Sequence, residues 1–161
     1  MLSCILFFSL SLGQPVDSAY QGMLDGIYTN FKTISPATAE SLIGKENVYF
    51  IDTREEKEFN VSHIPGAICV GYDRLVWYKI NRIPRDAKII VYCSVGARSQ
   101  NIGQKLIDKK FSDVQNLYGG LFLWANQERK MVSKKDKRTS DIHGYNQEWG
   151  KWIKKGNVKY N

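Results

Sequence analysis

The chain has 161 residues, 43% of them hydrophobic and 24% charged, enough for one globular domain and too ordinary for collagen, a coiled coil or a disordered segment. Three cysteines are too few for a disulfide-stapled miniature fold, and no apolar run reaches the roughly 20 residues of a spanning helix. The net charge of +7 is local: the ten Lys and Arg after residue 128 face only Asp136, Asp141 and Glu148, while the rest of the chain balances. This reads as a solvated basic segment able to touch an anionic surface or membrane, without the folded basic face or reading motif of a nucleic-acid binder.

Residues 1–15 carry no charged side chain and hold the apolar run Cys4 to Leu12. Its length suits the core of a secretory signal peptide, with small Ser11 and Gly13 ahead of a cut before Gln14, although no Lys or Arg precedes the run. The expectation is a signal peptide over 1–13, an extension over 14–34, and export to the periplasm; if the apolar run is not a signal, the chain stays cytoplasmic.

Ser35-Pro36 opens a helix that Gly44 closes. Val48 to Ile51, ending at Asp52, is a short strand, Glu55 to Phe59 a short helix, and His63-Ile64-Pro65-Gly66 a turn. Ala67 to Val70 forms a second strand, Lys88 to Tyr92 the most apolar one, and Arg98 to Lys110 a helix with Ile102 and Leu106 on one face. Val114 to Leu117 is a fourth strand, and a helix follows from Leu121 to Lys130 after the Gly119-Gly120 turn. Strands alternating with helices predict an α/β fold: a doubly wound, mostly parallel central sheet flanked by helices.

In such sheets ligands sit where strands end and helices begin. The sharpest junction reads Cys93-Ser94-Val95-Gly96-Ala97-Arg98-Ser99 after a buried strand. A tight glycine-containing loop running into a helix aims backbone N–H groups and the helix's positive end at the cysteine sulfur. Such a setting favours a thiolate nucleophile over an inert core cysteine. Four residues separate Cys93 from Arg98. Tyrosine-phosphatase-type loops have five, so this shorter loop leaves less room for a tetrahedral oxyanion but still holds one sulfur atom on the cysteine. Sulfur transfer is favoured over phosphoryl or arsenate chemistry.

With this loop, four blocks between Val48 and about Lys130, with a weaker lead-in from Ser35, resemble a single-domain rhodanese, of the sulfurtransferase family. They are Asp52-Thr53-Arg54 with Glu58-Phe59; His63-Ile64-Pro65-Gly66-Ala67, where Ser62 replaces a usual glycine; the Cys93 loop; and Leu117-Tyr118-Gly119-Gly120-Leu121 with Trp124. The resemblance implies Cys93 as the persulfide-forming nucleophile, loaded from a small-molecule donor such as thiosulfate and discharged to a thiol, or to cyanide in an assay. It implies that N–H groups of Ser94, Val95, Gly96, Ala97, Arg98 and Ser99 stabilise the charged sulfur, and that Arg98 attracts the donor's anionic end. Asp52 and Arg54 are expected to brace the fold as a salt bridge beside the loop, and His63 to shape its turn. No cofactor or metal is implied. The alternatives are a non-catalytic sulfur carrier or protein-interaction module, with a protein as sulfur acceptor, and a phosphatase or arsenate-reductase relative.

Cys69 lies mid-strand and is expected to pack in the core, the rival being a resolving thiol for Cys93. Residues 131–161 fall outside the resemblance. Tyr145, Trp149, Trp152 and Ile153 suggest an amphipathic helix that folds back on the domain.

Overall fold

The computed structural model describes residues 17–160; the signal peptide expected over 1–13 lies outside them. Asp17 caps helix α1 (Ser18–Asp25) by accepting the Ala19 and Tyr20 N–H groups, and α1 buries Tyr20 and Leu24. Strand β1 (Thr33–Ile34) precedes α2 (Pro36–Glu40), which opens as expected, Ser35 accepting the Thr38 N–H with proline in the first turn. Val48–Asp52 forms β2 and Glu56–Val61 forms α3, where the Glu58 carboxylate reaches back to accept the Glu55 N–H at 3.1 Å. After the turn at Pro65-Gly66 come β3 (Ile68–Cys69), α4 (Trp77–Ile80), β4 (Lys88–Tyr92), α5 (Ala97–Asp108), β5 (Asp113–Leu117) and α6 (Gly120–Asn126).

The five strands are parallel, in the order β1-β5-β4-β2-β3, which is the doubly wound α/β architecture read from the sequence. Strand β4 is central and apolar towards both faces. Ile90 and Tyr92 join a cluster with residues of α1, α2 and α6, while Ile89 and Val91 join one with residues of α4 and α5. The chain leaves β2 for β3 on one side and returns to β4 on the other. The switch of direction therefore lies between β2 and β4, whose register pairs Asp52 with Tyr92 and sets the loops that follow side by side.

Three details depart from the sequence reading. Residues 17–34 of the expected extension are part of the fold, since β1 pairs with β5 and α1 buries Tyr20 and Leu24 in the main core. The helix expected from Leu121 to Lys130 ends at Asn126, and Glu128 turns the chain at φ +54. The C-terminal segment is not one amphipathic helix. It comprises β6 (Met131–Val132), β7 (Arg138–Thr139), β8 (Asp141–His143), the single turn α7 (Gln147–Gly150) and β9 (Asn157–Lys159), with β8 and β9 paired in parallel. Gly144 and Gly150 lie so close to Tyr160 that neither has room for a side chain, and Gly156 adopts φ +101. The chain therefore reverses where a helix would have continued. The segment does fold back on the domain: Trp152 stacks on Tyr20 at 5.4 Å and Ile153 is buried. No helix among the described residues is long and apolar enough to cross a membrane.

Candidate active site

Six residues, Cys93 to Arg98, carry the chain from the end of β4 into the first turn of α5. Cys93 is buried, and its Sγ accepts the Gly96 N–H at 3.1 Å. Gly96 has φ +113, and a Cβ there would lie 1.9 Å from the Tyr28 hydroxyl, so the turn admits no larger residue.

The loop's carbonyl groups are pulled outward one after another. Leu121 N–H, at the start of α6, donates to the Cys93 carbonyl at 2.9 Å, and Phe122 N–H donates to that of Ser94 at 2.9 Å. The Tyr28 hydroxyl lies 2.8 Å from the Val95 carbonyl and 3.0 Å from that of Leu117, and accepts the Gly119 N–H at 2.8 Å. Asn116 Nδ2 donates to the Gly96 carbonyl at 2.9 Å, while its Oδ1 accepts the Ser99 hydroxyl at 2.8 Å. A trans peptide points its N–H opposite to its C=O. Fixing the carbonyls of residues 93 to 96 therefore turns the N–H groups of Ser94, Val95, Gly96 and Ala97 away from those partners, and the Gly96 N–H meets the sulfur. Gly120 is what lets α6 come so near, because a Cβ there would lie 2.6 Å from both carbonyl oxygens.

Arg98, expected to attract the donor's anionic end, lies at the mouth of the loop already paired. Its guanidinium makes a bidentate pair with Glu58 at 2.8 Å to each oxygen, touches the Ser94 hydroxyl at 3.1 Å and stacks over the Tyr145 ring at 5.1 Å. Glu58 is buried. Burial alone would raise its carboxyl, but Arg98 and then Arg54 hold it below the usual carboxylate range. The cation at the mouth is thus already neutralised.

Asp52 and Arg54, both fully buried, form the expected salt bridge at 2.7 Å, and Arg54 Nη2 also donates to the Ser62 carbonyl at 2.6 Å. They brace the β2 loop beside the Cys93 loop. His63 stacks on Phe59 at 3.6 Å with Nδ1 2.9 Å from the Phe59 carbonyl, and its backbone exchanges hydrogen bonds with Val132, a structural placement. Cys69 pairs with Asp52 on the far side of β2 from β4. Two strand spacings, about 10 Å, separate β3 from β4, beyond the reach of a disulfide to Cys93. Burial pushes the Cys69 thiol up to about 11.

Above the loop opens a cavity of about 160 Å³, floored by Cys93, Ser94, Val95 and Ala97 and walled by Arg98, Tyr145 and Trp149. Sequence reasoning missed the C-terminal wall, as well as Tyr28 and Asn116. Asn116 did leave a signal, a polar residue in an apolar strand. Glu58 belongs to the first family-like block, which carries no local sign of its pairing with Arg98. Tyr28 and Tyr145 carried no local signal.

Residues 35–127 match the profile of the rhodanese-like domain. Over 94 residues the chain is 29% identical to the thiosulfate sulfurtransferase GlpE of Coxiella burnetii, covering 58% of this chain and 87% of that protein. Over 96 residues it is 31% identical to the thiosulfate sulfurtransferase GlpE of Shewanella oneidensis, covering 60% and 94%. Among solved structures, the thiosulfate sulfurtransferase of Pseudomonas aeruginosa has a TM-score of 0.61 at 18% identity, over 83% of this chain and 26% of that one. The rhodanese-like domain of an Anabaena protein has a TM-score of 0.58 at 22% identity, over 66% and 83%. Those structural likenesses speak to the fold. With the profile match over more than half the chain, they lead to one conclusion: the chain belongs to the rhodanese-like domain family, among whose relatives here are named sulfurtransferases.

Proposed function

We propose that this chain is an enzyme that moves sulfane sulfur through a Cys93 persulfide, from a donor such as thiosulfate to a thiol acceptor. The observation that carries the reading is the tied-back loop, whose Gly96 N–H already lies 3.1 Å from Sγ. In the first step the Cys93 thiolate attacks the outer sulfur of thiosulfate. The bond between the two sulfur atoms of the donor breaks, sulfite leaves with the electron pair, and Cys93–S–S⁻ remains. In the second step an acceptor thiolate (cyanide in an assay) attacks the outer sulfur, and Cys93 leaves as thiolate. Both steps begin and end with negative charge on sulfur inside the loop. Donors preorganised around that charge accelerate each one, as an oxyanion hole does. The reaction uses no proton relay, consistent with a structural placement of His63.

The test is intact mass of the purified protein after thiosulfate, beside Cys93→Ser. Gain of one sulfur atom in the wild type alone, removed by cyanide and renewed over repeated turnovers, supports the enzyme. Loading without turnover supports a carrier that hands sulfur to a protein partner. No loading of a free thiol by thiosulfate rejects that donor.

A further inference from the structure

Residues 131–161 lie beyond the stretch that matches the family, yet two of their side chains wall the cavity over Cys93. Their placement is enforced. His143 is fully buried, and its Nδ1 accepts the Tyr145 N–H at 3.0 Å. Tyr145 itself sits at φ +64, a left-handed conformation that a bulky residue adopts only where its surroundings demand it. The residue is 52% exposed, and its ring lies against the Arg98 guanidinium. Trp149 follows in α7, whose N-cap Asn146 accepts the Trp149 N–H at 3.0 Å, and its side chain is half-buried against the main core. A strained, exposed tyrosine and a tryptophan held over a nucleophile fit a surface shaped for a ligand better than one shaped for packing.

The chemistry of that ligand follows from the lining. Arg98 is the one cation lining the cavity among the described residues, and Glu58 already neutralises it. A compact dianion therefore meets no unpaired side-chain charge at the mouth and relies on the loop N–H groups alone, whereas an apolar group also finds two aromatic faces and Val95. A dry cavity of about 150 Å³ holds a benzene ring in other proteins, and this one measures about 160 Å³.

We infer that Tyr145 and Trp149 are specificity-determining residues that select sulfur donors carrying an aromatic group on the part that leaves. This rests on the persulfide reading above. For an organic thiosulfonate, R–SO2–S⁻, the Cys93 thiolate attacks the terminal sulfur and the bond from it to the sulfonyl sulfur breaks. The sulfinate R–SO2⁻ leaves with the electron pair, and Cys93–S–S⁻ forms.

The test compares kcat/KM for benzenethiosulfonate and methanethiosulfonate, with cyanide as acceptor and Cys93 loading followed by intact mass. The ratio of aryl to methyl donor in the wild type, divided by that in a variant, cancels the donors' intrinsic reactivities. Tyr145→Ala should lower the ratio about fivefold and Trp149→Ala about tenfold, the scale of losing one aromatic contact. Trp149→Phe, which keeps a ring on the core, should retain most of it and guards against loss of the segment's fold. Ratios within twofold of wild type in both alanine variants, with loading intact, overturn the inference and leave the persulfide reading standing. Failure of every donor to load Cys93 overturns both.

Discussion

Replacing Tyr28 with phenylalanine deletes one oxygen and tests whether the loop is held open from behind. That oxygen accepts the Gly119 N–H and serves the carbonyls of Val95 and Leu117, all within 3.0 Å. Its loss leaves one donor and at least one acceptor unpartnered. At about 1–3 kcal/mol for each buried group, less what water recovers beside a half-buried ring, the cost is about 2–3 kcal/mol. A domain of this size loses about 3 °C in Tm per kcal/mol, so the melt should fall by about 6–9 °C. The chemical effect is separate. With the Val95 carbonyl released, the peptide that presents the Gly96 N–H to Sγ can rotate. Deleting such a donor outright costs about 10²–10³ in rate, so loosening it should slow persulfide formation about tenfold. The assay is thermal unfolding alongside single-turnover loading from thiosulfate, read by intact mass. Tyr20→Phe is the control. It removes a hydroxyl that donates to the Gly119 carbonyl at 3.0 Å and touches no carbonyl of the Cys93 loop. It should destabilise by about 1 kcal/mol and load within twofold of wild type. If Tyr28→Phe is destabilised yet loads as fast as Tyr20→Phe, the carbonyl tie-back does not organise the site.

Glu58→Gln leaves the mostly buried Arg98 guanidinium without its carboxylate and should cost about 3 kcal/mol, the usual result of breaking one side of a buried pair; a urea midpoint matching wild type would contradict this. Burial pushes His63 and His143 below the ordinary imidazole range. Each therefore binds fewer protons folded than unfolded, and stability is lost as pH falls below about 6.5, by at most about 1.4 kcal/mol per pH unit each. Urea midpoints at pH 7.5 and 5.5 should show that loss, and His143→Asn, which keeps an acceptor for the Tyr145 N–H, should remove about half of it. A midpoint that is flat or rises on acidification refutes the assignment. Cys69→Ala should load at Cys93 within twofold of wild type, since a thiol raised to about 11 and two strands away has no part in the chemistry. A large loss, or a disulfide between Cys69 and Cys93 under mild oxidation, would return Cys69 to the role of resolving thiol.

What could be read from the sequence was what neighbouring residues decide among themselves. The run Lys88 to Tyr92 is apolar at every position after the first, so it forms a strand covered on both faces wherever the chain takes it. Ser35-Pro36 caps a helix with atoms three residues apart. The Cys93 to Arg98 spacing already implies a strand-to-helix turn with a cysteine at its start, and Gly96 at φ +113 sits where that turn needs it. The C-terminal segment shows the limit of such local reading. The spacing of Tyr145, Trp149 and Trp152 is helical, but the glycines at 144, 150 and 156 pack against Tyr160, Val158 and Ser140, and spacing carries no record of such contacts.

The working parts of the candidate site depend on partners far apart in the chain. The Val95 carbonyl meets a hydroxyl 67 residues earlier, the Gly96 carbonyl an amide 20 residues later, and Arg98 a carboxylate 40 residues back. A lone Tyr28 or Glu58 is an ordinary surface-type residue until the sheet brings it against the loop. Arg98 by itself reads as an anion receptor, and only its pairing with Glu58 alters the charge that a donor meets. Local periodicity decides secondary structure because backbone hydrogen bonds and side-chain facing repeat every two or 3.6 residues. The direction of each loop carbonyl, and the aromatic wall over the sulfur, are decided by tertiary packing, because hydrogen-bond partners and cavity walls are matched by distance in space and leave no period along the chain.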